Sequence, residues 1–119
     1  MRDHRSLSVW QAANRVTRWV IGVSERHYRP AVRVPFYQLQ MSALAIQLHI
    51  ARGHALRKTR TFRKHLTLAY AAAIETTELL QLLEQTHLLE SDRVADAMKA
   101  MDEVRTSLIA LIRQFRHYR

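Results

Sequence analysis

The stretch RGHALRKTRTFRKH, from Arg52 to His65, holds six Lys/Arg and two His in fourteen residues and no acid. Two kinds of chemistry could use it. Its cations attract phosphate, and each guanidinium offers a planar fork that binds two oxygens at once. An imidazole beside an arginine could also act on RNA, with His65 taking the proton of a ribose hydroxyl while Arg60 holds the phosphate. With 16 Arg and 7 His in the chain, that spacing arises readily by chance, so it gives catalysis little support. A metal site is not expected: His49 and His54 lie five apart, poorly placed for one helical face, and the surrounding cations repel a divalent ion. The histidines are better suited to adding charge below about pH 6.5, which would make polyanion binding pH-sensitive.

The elements that must carry these residues follow from composition. The 119 residues suffice for one domain, spanning 1–119, and 48% of them are apolar, which argues against disorder despite a net charge of +9. Two Gly and two Pro leave few breakers, and Ala, Leu, Arg and Gln favour helix, so the fold class is all-α. No cysteine is present, which removes disulfides and thiolate chemistry and suits a reducing cytoplasm. The charged opening MRDHRSLSVW lacks the apolar stretch of a signal peptide, and no uninterrupted apolar run is long enough to span a bilayer. A cytoplasmic protein with no membrane association is expected.

Four helices are predicted, at about 7–27, 35–56, 59–86 and 92–117. Ser8 and Gln11 form an S-x-x-Q capping-box pattern at the first, and Val9, Ala13, Val16, Val20 and Val23 recur at helical spacing after it. Pro35 suits the first turn of the second helix. There Leu39, Ala43, Ile46 and Ile50 define one apolar face and Met41, Leu44, Leu48 and Ala51 another. A helix apolar on two faces is buried on two sides, so Met41, Leu44 and Leu48 are the predicted contact with another subunit. Thr59 or Thr61 is the expected N-cap of the third helix and Ser91 that of the fourth. Core positions there are Phe62, Leu66, Ala69, Ala73, Leu80 and Leu83, then Val94, Met98, Met101, Val104, Leu108, Leu111 and Phe115.

Short connections between four helices imply an antiparallel up-down-up-down four-helix bundle. In that topology the start of helix one, the end of two, the start of three and the end of four share a pole. Arg2, Arg5, Arg52, Arg57, Lys58, Arg60, Arg63, Lys64, Arg113, Arg116 and Arg119 fall there against Asp3 alone, a formal +10. His4, His49, His54, His65 and His117 lie near it. Acids such as Glu78, Glu84, Glu90 and Asp92 lie toward the other pole.

Several motifs carry a family resemblance. LSVWQAA (Leu7 to Ala13), HIARG (His49 to Gly53), TFRKHL (Thr61 to Leu66), Glu75 and EVRTSLIALI (Glu103 to Ile112) follow, in order and spacing, the pattern of the 23S ribosomal RNA intervening-sequence proteins. The resemblance covers about residues 3 to 115. That family of four-helix bundles includes the accessory variability proteins of diversity-generating retroelements. The chain departs from its pattern at Gln40 and Met41, where paired arginines are usual, at Gln47 for a proline, at His49 for an asparagine and at Arg52 for an acid. The resemblance implies a cytosolic bundle assembled as a ring-like homopentamer, and an association with structured RNA, DNA or a reverse transcriptase.

The expectation is therefore an oligomeric accessory protein without chemistry or a cofactor of its own, whose basic pole binds structured RNA or DNA. The residues assigned to that role are Arg52, Arg57, Lys58, Arg60, Arg63 and Lys64, supported by Arg113 and Arg116. The Arg60-x4-His65 spacing also resembles the motif of a class of all-α ribonucleases. Competing uses of the same features are a solvated arginine-rich helix end, a scaffold that binds another protein, and an anionic-membrane contact. Trp10 and Trp19, nine apart, are expected to divide between the core and a neighbour rather than to form a base platform. Phe115 and Tyr118, beside the terminal arginines, are better placed for nucleic acid, although a frayed amphipathic helix end is the default reading there.

Overall fold

Apolar residues spaced three and four apart produce four α-helices: α1 (Ser8–Arg26), α2 (Arg33–Leu56), α3 (Thr59–Gln85) and α4 (Ser91–Gln114). The computed structural model describes residues 3–27 and 29–115, and among these no strand occurs. Short 3-10 turns, His4–Ser6 and Pro30–Val32, precede α1 and α2. The molecule measures 47 × 20 × 20 Å, so each helix runs most of its length. α1 and α3 each pack against both α2 and α4, while neither diagonal pair meets. That is the square cross-section of a four-helix bundle.

The core is the set that the periodicity marks. Val9, Ala13, Val16, Val20 and Val23 of α1 meet Leu39, Ala43, Ile46 and Ile50 of α2. Leu66, Ala69, Ala73, Leu80 and Leu83 of α3 and Val94, Met101, Val104 and Leu108 of α4 complete it. Each large side chain sealed here contributes about 1.5–3 kcal/mol. Phe62, Met98, Leu111 and Phe115 are only half-buried, at the edge of this core. Trp10 and Trp19 are both half-buried against it, so the expected division between core and neighbour does not occur within the chain.

Hydroxyls tie the helices together. The Thr76 hydroxyl donates to Ser42 Oγ across α2 and α3 at 2.9 Å, and Ser42 donates in turn to the Leu39 carbonyl. Thr17 Oγ1 lies 3.0 Å from its own-helix Ala13 carbonyl and 3.2 Å from the Ala43 carbonyl of α2. Buried hydroxyls paired in this way avoid the penalty of unsatisfied groups while fixing helix register.

The predicted caps do not form. Ser8 is already helical and Leu7 holds the N-cap position; the Gln11 amide donates instead to the Arg5 carbonyl at 3.0 Å. Asp3 does the capping one element earlier, accepting from the Arg5 N–H at 2.9 Å. Lys58 and Glu90 take the N-cap positions of α3 and α4, leaving Thr59, Thr61 and Ser91 inside the helices. α2 begins two residues before Pro35, which still lies in its first turn.

Candidate nucleic-acid interface

The link between α2 and α3 consists of Arg57 and Lys58 alone. Arg57 reverses the chain from a left-handed conformation, φ 59° and ψ 8°, a position that glycine usually fills. So tight a reversal sets the basic run across the end of one helix and the beginning of the next. Arg52 and Arg57 therefore come from α2 and its end, and Lys58, Arg60, Arg63 and Lys64 from the first turns of α3.

A chain of rings shows that all four helix ends converge here. Trp10 meets His4 edge-on at 5.4 Å between centroids, and His4 meets His54 at 6.4 Å. His54 meets Phe62 at 5.9 Å, and Phe62 meets Phe115 at 5.3 Å. The rings come in turn from α1 with its preceding turn, α2, α3 and the end of α4, and they close the bundle beneath the charge.

Arg5, Arg52, Arg57, Lys58, Arg60, Lys64 and Arg113 are exposed around this pole, and Arg63 is half-buried. Among the described residues the acid beside them is Asp3, whose carboxylate lies 3.1 Å from His4 Nδ1 and ion-pairs with Arg5 at 3.7 Å. The Arg5 backbone N–H, and then the nearby His4, Arg5 and His54, hold Asp3 below the usual carboxylate range. The structure thus brings together Arg52, Arg57, Lys58, Arg60, Arg63, Lys64 and Arg113. Arg116 lies outside the described residues, as do Arg2, His117, Tyr118 and Arg119.

Two features of the pole were not read from the sequence. One is the ring chain. The other is a contact between His49 of α2 and His65 of α3, whose Nδ1 atoms stand 3.0 Å apart. Burial, then the neighbouring His65 and Arg52, push His49 below the ordinary imidazole range; burial, then Arg52 and Lys64, do the same to His65. Of the histidines expected to add charge below pH 6.5, these two therefore resist doing so. No group of three or more histidines or carboxylates able to hold a metal occurs among the described residues.

Away from the pole, α2 carries a second feature. Val34, Tyr37, Met41 and Leu48 are 66, 52, 47 and 48% exposed, and Leu44 between them is half-buried. Their spacing alternates three and four residues, the repeat by which helices pack side by side. The sequence-predicted contact residues Met41, Leu44 and Leu48 form its centre. Among the described residues, no helix is long and apolar enough to cross a membrane.

The model of one family, described as 23S rRNA-intervening sequence protein, matches residues 5–110. The chain belongs to that family. The match contains the whole basic run and the His49–His65 contact, while Arg113 and Arg116 lie beyond it. No curated protein matches the chain. As a 23S rRNA-intervening sequence protein it is a four-helix bundle whose family carries an RNA-related name, and its charge is concentrated at one end.

Proposed function

We propose that the protein is a non-catalytic, oligomeric accessory protein that binds structured RNA or DNA through its basic pole. The observation that carries this reading is the convergence of four helix ends on one arginine-rich surface with Asp3 as the acid beside it. Such a surface releases counterions on meeting a polyanion, so it binds phosphate backbones tightly and with steep salt dependence. The family name supports RNA as the ligand. The exposed stripe on α2 supports self-association, with Met41, Leu44 and Leu48 at the contact. The number of subunits proposed is five, as the family resemblance implies; the basic poles would then multiply into one rim.

The test is fluorescence anisotropy with labelled structured RNA and duplex DNA, titrated from low to physiological salt. The expected result is binding that persists at physiological salt. Reversing charge at Arg57, Lys58 and Arg60 should weaken it and make the log-log salt slope shallower by about 3. Weak binding that vanishes by physiological salt, with no difference on reversal, would sink the proposal.

The second reading is a scaffold for another protein, such as a reverse transcriptase, with the charge serving solubility. The α2 stripe is the observation that favours it. The same triple variant separates the two, because a scaffold keeps its protein contacts after charge reversal. Light scattering reports assembly: Met41→Glu with Leu48→Glu should lower the mass to that of one chain.

A further inference from the structure

The His49–His65 contact constrains where protons can sit. Two Nδ1 atoms 3.0 Å apart can share one hydrogen, donated by one ring and accepted by the other. In the neutral pair the donating ring keeps its hydrogen on Nδ1, so its Nε2 is a bare lone pair. One added proton fills that Nε2 and leaves the shared hydrogen in place, now in a charge-assisted bond. A second proton would set two N–H groups against each other and break the contact. The pair therefore accepts a single proton, and only with it do both rings offer an Nε2–H donor.

Its surroundings fit an anion. Arg52, one turn after His49 on α2, and Lys64, beside His65 on α3, are the cations that act on the pair. No carboxylate of the described residues is among the groups that shift either ring. The rings are tilted 32° with centroids 5.3 Å apart, and both are half-buried. Gly53 fixes the approach of the two helices at this level: a Cβ there would stand 2.8 Å from His65 Cβ.

We propose that His49 and His65, with Arg52 and Lys64, form a phosphate-binding contact that is loaded by one proton. A nucleic-acid phosphate entering between the cations offsets their repulsion of an imidazolium, and the pair takes up a proton as the phosphate binds. Binding at the basic pole then strengthens as pH falls. This inference rests on the basic pole being the nucleic-acid surface, and it names two residues and a proton that the surface uses.

The experiment is anisotropy with labelled structured RNA from pH 8.5 to 5.5 at fixed salt, on the full chain and on His65→Asn and His49→Asn separately. Thermal melts check that each variant folds, and either variant alone suffices. The expected result is a gap between wild type and variant that widens as pH falls, by up to tenfold per pH unit for one linked proton. His4 and His54 stand at the same pole in all three proteins, so the comparison isolates the pair. Imidazole NMR supplies a second readout: RNA should raise the pH at which the pair titrates. Equal pH slopes in wild type and variants, with RNA binding retained, overturn the proton-loaded contact and leave the basic pole standing. Loss of RNA binding at every pH at physiological salt overturns both.

Discussion

At the scale of single residues, the His49–His65 contact links stability to pH as well as binding. Both rings are held below their unfolded value by burial and by the neighbouring cations. The native state therefore binds fewer protons than the unfolded chain just below pH 6.5. A group depressed in this way contributes stability above its unfolded pKa, and loses it as pH falls through the folded one. Melting temperature measured without nucleic acid should decline from pH 7.5 toward pH 5, and more steeply in wild type than in His65→Asn. An identical decline in both would show that the pair plays no part in it. RNA should oppose the decline, because it favours the protonated pair that folding alone disfavours. None of this was legible in the sequence. The two histidines are 16 residues apart, and only the register of α2 against α3 makes them partners. The basic run was legible because its residues are contiguous.

At the scale of elements, what the sequence revealed depended on the physics involved. The inner faces of all four helices were plain, because burial of apolar surface imposes a period of 3.6 that survives any local accident. Helix starts were not. Ser8, Thr59 and Ser91 look like caps, yet each lies one residue inside its helix, behind Leu7, Lys58 and Glu90, none of which makes a capping bond. Cap propensity is worth about 1 kcal/mol, and packing can shift a terminus by a residue for less than that. The second apolar face of α2 was legible as a pattern, and Met41 and Leu48 on it stay exposed among the described residues. Gly53 marks where α2 and α3 come closest: a methyl group there would stand 2.8 Å from His65 Cβ and 2.9 Å from the Phe62 ring. At Gly22 a Cβ would meet only Arg26 Nη1, at an ordinary contact distance of 3.7 Å. Gly53→Ala should destabilise the fold by about 1–3 kcal/mol through overpacking. Gly22→Ala should stabilise it by about 0.5–1 kcal/mol through helix propensity. Denaturant melts of the two variants check both signs; equal effects would mean that the close approach at Gly53 carries no strain.

At the scale of the whole molecule, the bundle is electrically lopsided. The carboxylates of α3 and α4 lie toward the far pole or pair along the sides, as Arg15 does with Glu103 at 3.2 Å. The near pole is left with cations whose mutual repulsion works against folding. The two-residue reversal at Arg57 and Lys58 has a further consequence, which concerns the order in which the chain becomes structured. α2 and α3 are joined by the shortest link and share the most extensive contact in the bundle. Closing a short loop loses little chain entropy, so this hairpin can form before the outer helices have partners. α1 and α4 then add to its two sides, and in the native state they are the elements free to open first. Amide exchange should accordingly be slowest around Leu39–Ile50 and Leu66–Leu80 and faster throughout α1 and α4; uniform protection across the four helices would contradict it. The charge that the protein concentrates at one end would then sit on its earliest-formed and last-surrendered part, so a polyanion could engage the chain while the outer helices are still docking.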